Sequence, residues 1–186
     1  MRIVGGKFRG RPLAVPGGMG VRPTPDRVRE SIFNIIQHGL DGFDISGRRV
    51  MDLFAGTGAL GLEALSRGAS YCLFVEEAAE ARALIRQNIE AFGLTGVTRI
   101  FRRDACDLGP SGNMLTYSVA FLDPPYDKGL GEKALLSLKD GRWLDPGAIV
   151  VLEERAGVAV SWPVGYTALD ERTWGDTSVN FLRFEG

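Results

Sequence analysis

The chain has 186 residues, 45% of them hydrophobic, enough for one globular domain with a proper core and at most a small appendage. No apolar run approaches the roughly 20 residues needed to span a bilayer, and Met1-Arg2-Ile3-Val4-Gly5-Gly6-Lys7 lacks the apolar segment of a secretory signal, so a cytoplasmic protein is expected. Cys72 and Cys106 have neither metal nor disulfide-framework spacing, and the single His38 cannot build a histidine metal site; no metal is expected, and both cysteines read as reduced packing residues.

The net charge of −1 hides an asymmetry. Residues 1–30 carry seven basic side chains, Arg2, Lys7, Arg9, Arg11, Arg22, Arg27 and Arg29, against Asp26 and Glu30, leaving 15 basic and 21 acidic side chains for the rest. A basic arm on an acidic body is the pattern expected where one end meets a polyanion, although a solvated terminal segment has the same composition.

In chain order, residues 3–15 read as two short extended pieces around Gly5-Gly6-Lys7-Phe8-Arg9-Gly10, a hairpin with arginines at its tip. A loop rich in Gly and Pro covers residues 16–23. Thr24 is placed to cap a helix with Pro25 at its first position, and Val28, Ile32, Ile35 and Ile36 share a stripe that would turn Arg27 and Arg29 away from the core. After Ser46-Gly47 the pattern becomes strand, turn, helix in repetition. Strands are predicted at residues 50–54, 71–75, 98–102, 119–122 and 149–152, with helices at 60–66 and 78–92, the latter burying Ala81, Leu84, Ile85, Ile89 and Phe92. The last two strands are nearly continuous apolar runs, as in a parallel sheet covered on both faces. Residues 164–169 and 179–184 look like a closing antiparallel pair joined by residues 170–178. The expected fold is α/β and doubly wound, a mostly parallel sheet with an antiparallel C-terminal strand and a small N-terminal hairpin and helix. Residues 1–40 would form the extension and residues 41–186 the main domain.

Two stretches carry chemistry. Gly56-Thr57-Gly58-Ala59-Leu60-Gly61 follows a strand and opens a helix, and Glu76 ends the next strand 20 residues beyond Gly56. Such a turn serves nicotinamide dinucleotides and S-adenosylmethionine alike, since both present ribose hydroxyls to an acid. Asp52 just before the turn would repel a pyrophosphate but could face a cationic amino-acid end, so a nicotinamide-dependent oxidoreductase loses ground; Asp52 could also simply cap the helix. Asp104 is placed to accept an adenine amine, with the Ala105 N–H toward a ring nitrogen, although a turn or helix cap would use the same residue type. The second stretch, Asp123-Pro124-Pro125-Tyr126, ends the strand at 119–122. A carboxylate and a proline carbonyl can both accept N–H bonds from an exocyclic amine, a poor nucleophile whose lone pair is delocalised into its ring. Two prolines stiffen the backbone and remove donors, and Tyr126 would lie on the base. A strand ending in a proline turn beside an exposed acid is the plainer reading.

With these residues assembled, the chain resembles the RsmD family of bacterial methyltransferases, which methylate the N2 amine of one guanine in 16S ribosomal RNA. The likeness covers nearly the full length: Arg2-Ile3-Val4-Gly5-Gly6 with Arg9-Gly10-Arg11, the family-specific Arg22-Pro23-Thr24-Pro25-Asp26-Arg27-Val28-Arg29-Glu30, the stretch Asp52 to Ala64, and Asp123 to Tyr126. The resemblance implies a Rossmann-like class I S-adenosylmethionine-dependent fold. It implies a cofactor site at Asp52, Gly56, Gly58, Glu76, Asp104 and Ala105, a target site at Asp123, Pro124, Pro125 and Tyr126, and RNA contact by the N-terminal arm. It favours the assembled small subunit as substrate, with a monomer as the default state. Two departures are visible. Ala78 stands where relatives often carry an Asp, which leaves the ribose role to Glu76 and Glu77 on the surface; Trp174-Gly175 replaces a Tyr-Gly pair and removes a hydroxyl. Methylation of adenine N6 or cytosine N4 in DNA remains the nearest alternative, and a non-catalytic RNA-binding module the alternative from another class.

Overall fold

The structure is a computed structural model that describes residues 1–17 and 23–186, so the predicted contact residue Arg22 lies outside the described residues. The strands are β1 (Arg49–Leu53), β2 (Tyr71–Val75), β3 (Thr98–Phe101), β4 (Tyr117–Leu122), β5 (Leu144–Arg155), β6 (Tyr166–Trp174) and β7 (Thr177–Phe184), interleaved with helices α1 (Asp26–His38), α2 (Ala59–Ser66), α3 (Ala79–Ala91) and α4 (Leu130–Asp140). One sheet contains all seven strands in the order β3-β2-β1-β4-β5-β7-β6. Pairing is parallel from β3 through β5, while β7 runs antiparallel to both β5 and β6. The chain winds outward from β1 to β3 and then returns to place β4 on the other side of β1. That reversal opens a crevice at the carboxyl ends of β1 and β4, where ligands bind in sheets of this kind.

Every residue of β4 is buried, as its uninterrupted apolar sequence requires. One face of the sheet packs on α1, α2 and α3 through Ile32, Phe33, Leu62, Ile85 and Phe121. The other face packs on α4 through Met51, Ala120, Leu135, Leu138 and Trp143. Helix α4 was not foreseen, although Leu130, Ala134, Leu135 and Leu138 fall on one stripe. The closing hairpin also differs from expectation. Most of residues 170–178 is strand rather than connection: β6 runs to Trp174 and β7 begins at Thr177, leaving only the tight turn Gly175-Asp176, with φ +59° at Gly175. The polar run Asp170-Glu171-Arg172-Thr173 hid this, since charge is what keeps an exposed edge strand from pairing with another chain.

The N-terminal hairpin has a single bridge, Arg2 with Pro12, and its tip is docked rather than free. The Lys7 N–H donates to the Ser66 carbonyl at 2.8 Å, and the Phe8 N–H to Ser66 Oγ at 2.9 Å. Gly6 has φ +77°, and a Cβ there would lie 2.0 Å from the Ser66 oxygen, so the docking requires glycine. Phe8 stacks on Phe92 with ring centroids 5.2 Å apart. Ile3, Phe8 and Leu13 thereby join the core beneath α1 to α3.

Two expectations at α1 need correction. Thr24 does not cap the helix; Pro25 holds the N-cap position without a side-chain bond, and the Thr24 hydroxyl points to Glu153. Arg29 does not face outward: it is fully buried. Its Nε meets Glu63 Oε1 at 3.2 Å, its Nη2 meets Asp26 Oδ1 at 2.9 Å, and it donates to the Arg2 carbonyl. Glu63 is equally buried and also accepts the Arg67 Nε at 3.0 Å and the Val4 and Gly5 N–H groups at 3.0 and 2.9 Å. An arginine one turn from an apolar stripe can bury its head only where an acid waits, and that acid lies 34 residues on, beyond any local pattern. Arg29→Met should lower unfolding stability by about 3 kcal/mol, because it leaves part of a buried carboxylate's charge uncompensated. The exposed Lys7→Ala control should change it by less than about 0.5 kcal/mol. Urea unfolding midpoints check both.

Candidate active site

A cavity of about 930 Å³ opens at the carboxyl edge of β1, β2, β4 and β5. Its lining includes Asp52, Phe54, Gly56, Glu76, Asp104, Asp123 to Tyr126, Glu153 and Trp174, and thus brings both predicted stretches into one space. The acids Asp52, Glu76, Glu77, Asp104, Asp123, Glu153 and Asp176 line it against the two arginines Arg27 and Arg155. A dianionic pyrophosphate would be repelled there, whereas a cationic ligand rich in hydroxyl and amine donors is accommodated.

The glycine turn is built by the backbone and braced by acids. Phe54, Gly56 and Gly58 all take positive φ, at 56°, 59° and 79°. For Phe54 this is a costly conformation, of the kind held at functional sites. Gly61 is required by packing, since a Cβ would stand 2.5 Å from the Phe74 ring and 2.6 Å from Cys72 Sγ. Glu76 Oε1 accepts the Gly56 N–H at 2.8 Å and its Oε2 the Ala78 N–H at 3.2 Å, so this acid both shapes the turn and faces the cavity. Asp52 is almost fully buried and accepts the Gly61 N–H at 2.9 Å, capping the first turn of α2. Burial raises its pKa well above the usual carboxylate range, the Gly61 N–H opposes that, and Asp123 and Glu76 add to the rise. The helix-capping reading of Asp52 is therefore realised, with the same residue on the cavity floor.

Asp104 is exposed and closes a local turn by accepting the Cys106 N–H at 2.8 Å. Ala105 is buried between Asp104 and Cys106, and these two neighbours form that part of the lining. Glu77, expected on the surface, is exposed at the cavity rim.

At the end of β4, Pro124 is buried and Asp123 retains partial exposure. The loop that follows is tied to the neighbouring strands. The Tyr126 hydroxyl bonds Thr177 Oγ1 at 2.9 Å, the Arg155 guanidinium lies 5.6 Å from the Tyr126 ring centre, and Asp127 Oδ2 meets Arg155 Nε at 2.7 Å. Trp174 both packs against the core and lines the cavity.

Sequence reading missed Glu153. Strand β5 carries it to the level of Asp123, because Leu122 pairs with Leu152 and the next residues lie side by side. Glu153 is 3% exposed, accepts the Thr24 hydroxyl at 3.0 Å and lies beside Asp123 across the β4–β5 register. Burial pushes the Asp123 carboxyl up to about 6, with hydrogen bonds from Glu153 and Thr24 pulling it back. Burial and the Asp123 charge together push Glu153 well above its ordinary range. An acid directly after a buried parallel strand was the available signal, the one that had marked Glu76.

Of the basic arm, Arg2, Lys7, Arg9, Arg11 and Arg27 are exposed, and Arg29 is withdrawn into the buried network described above. Arg11 lies 4.5 Å from the centre of the Phe92 ring and donates to the Ala91 carbonyl at 2.7 Å, which holds the arm against α3. Among the described residues no cluster of three or more His, Cys, Asp or Glu could hold a metal ion, and no helix is long and apolar enough to cross a membrane.

Comparison with known proteins agrees with this geometry. The family model described as conserved hypothetical protein 95 matches residues 1–183. The chain is 33% identical to ribosomal RNA small subunit methyltransferase D of Haemophilus influenzae, covering 96% of this chain and 91% of the relative. It is 39% identical to the protein of the same name in Escherichia coli over 82% of this chain and 74% of the relative. A solved Escherichia coli structure, described as a methyltransferase candidate, superposes with a TM-score of 0.83 at 30% identity, covering 100% of this chain and 98% of that one. The sheet order and these neighbours make the fold that of class I S-adenosylmethionine-dependent methyltransferases. The chain belongs to the conserved hypothetical protein 95 family, which is the RsmD family.

Proposed function

We propose that this protein is an rRNA methyltransferase that transfers a methyl group from S-adenosylmethionine to the exocyclic N2 amine of a guanine in 16S rRNA, within the assembled small subunit. The observation that carries the reading is the convergence of the braced glycine turn and the Asp123-Pro124-Pro125-Tyr126 loop on one acid-lined cavity. The names of the relatives, ribosomal RNA small subunit methyltransferase D, support the substrate class.

The residues present fit the cofactor. Glu76 would take the ribose hydroxyls, Asp104 the adenine amine, and the Gly56 to Gly58 turn the close approach of the backbone, with Asp52 beneath the cationic end. S-adenosylmethionine supplies an electrophilic methyl on a sulfonium, which leaves as a neutral thioether. Asp123 and the Pro124 carbonyl would hold the two N2 hydrogens so that the nitrogen lone pair points at that carbon, with Tyr126 against the base. Orientation and stabilisation of the charge developing on nitrogen provide the acceleration. Once the N–C bond has formed, the nitrogen is acidic and releases its proton to Asp123 or water. Extruding the guanine costs a few kcal/mol. Residues 1–40 form the RNA-contacting extension in this reading, with Arg2, Lys7, Arg9, Arg11 and Arg27 toward phosphates, residues 41–186 the methyltransferase body, and a cytoplasmic monomer the working form.

Three outcomes test this. Asp123→Ala should lower kcat by about a hundredfold or more while cofactor affinity stays within a few-fold, measured by labelled methyl transfer and calorimetry. The rate should fall as pH drops through about 6, where Asp123 takes up a proton and ceases to accept from the amine; a rate independent of pH between 5 and 7 would contradict the role. Replacing Lys7 and Arg9 by Ala should flatten the log affinity against log salt plot by about 0.7 to 0.9 for each phosphate that these side chains neutralise. Arg29→Met, assayed as folded protein, should leave that slope in place.

A further inference from the structure

The pair formed by Asp123 and Glu153 extends the proposed reaction, and the role inferred for it rests on that reading. The β4–β5 register sets the two carboxyls side by side, and buried there they cannot readily both be ionised, so they hold a proton between them. The geometry decides which of them keeps it. Glu153 is the deeper of the two, at 3% exposure, while Asp123 reaches the open part of the cavity. The Thr24 hydroxyl donates to Glu153, with 3.0 and 3.2 Å to its two oxygens, and fixes it from the side of α1. The groups around the pair are mostly acids: Asp52 on β1 raises Glu153, and Glu76, just beyond β2, and Asp176 line the same cavity. Among the cations lining the cavity, Arg155 is paired with Asp127 at the rim and Arg27 extends from α1. This surrounding charge favours a neutral Glu153.

We propose that Glu153 is a positioning residue for Asp123: its protonated carboxyl donates a hydrogen bond to the Asp123 carboxylate and, held by Thr24, leaves one Asp123 oxygen aimed at the amine of the target base. Without that donor the Asp123 carboxylate loses its fixed rotamer, and with a second negative charge in place of the donor the two acids repel each other. Thr24 precedes α1, so the segment after the basic arm is tied to the orientation of the acceptor. Substrate contacts of Glu153 are not required, and its effect passes through Asp123.

The test compares Glu153→Ala, Glu153→Gln and the wild type. Glu153→Ala should lower kcat by about a hundredfold with both KM values within a few-fold, the signature of a misplaced reacting group. Glu153→Gln keeps an N–H donor for Asp123 and an acceptor for Thr24, and should retain kcat within a few-fold. The wild-type rate should decline on the alkaline side as the shared proton is lost; that decline should vanish in Glu153→Gln, which has no proton to lose there. Carboxyl carbon NMR of the wild-type protein alone should show Glu153 protonated at neutral pH. Ionised Glu153 at neutral pH, or equal loss of kcat in the Ala and Gln variants, would overturn the proposal. The NMR reading does not depend on turnover, so a wild type that transfers no methyl to rRNA would refute the proposed function while the carboxyl pair was still decided by its spectrum.

Discussion

Parallel pairing of β1, β4 and β5 in fixed register is the constraint on which the rest of the site depends. Each of these strands carries an acid near its carboxyl end or just beyond it, and their register sets Asp52, Asp123 and Glu153 at a single edge of the sheet. The helices that cover the sheet exclude water from its faces, so these acids share a partly desolvated crevice in which burial raises all three carboxyls, Asp123 raises Asp52 and Glu153 further, and Asp52 adds to the rise at Glu153. A one-residue slip of β5 against β4 would turn Glu153 to the opposite face and separate the pair.

The same edge explains why so much backbone is spent on the glycine turn. Gly56 and Gly58 allow the chain to reverse above β1 with positive φ, and Glu76 and Asp52 accept N–H groups at each end of the reversal. Negative charge is thus fixed close to helix α2 at its N-terminus, where the helix dipole favours it. An acidic crevice would repel a polyanion if nothing opposed it. In the proposed reading, the exposed Arg2, Lys7, Arg9 and Arg11, on the N-terminal segment tied to α2 by the Glu63 and Ser66 side chains, and Arg27 on α1 would offset this.

What could be read from the sequence was what lies close along the chain. The turn from Asp52 to Gly61 and the loop from Asp123 to Tyr126 are contiguous, and Glu76 follows its turn at a fixed spacing, so spacing and residue type were enough to mark them. Strands β1, β2 and β4 were legible because buried parallel strands are nearly pure apolar runs. Glu153 was not, since its partner Asp123 becomes a neighbour only through sheet register. Arg29 misled for the same reason: by composition it belonged to the basic arm, and only the packing of α1 on α2 brought Glu63 to its head. Helix α4 and the outer ends of β6 and β7 escaped because their polar faces interrupt the periodicity that their buried residues keep.

The most direct test of the account is nucleoside analysis after incubating the purified protein and labelled S-adenosylmethionine with small ribosomal subunits, and separately with naked 16S rRNA, both from cells lacking the activity. The account predicts label in N2-methylguanosine, with the assembled subunit the better substrate. Label in a different nucleoside would keep the fold and the methyl donor but contradict the assigned target, and no label in either substrate would contradict the proposed rRNA methylation itself.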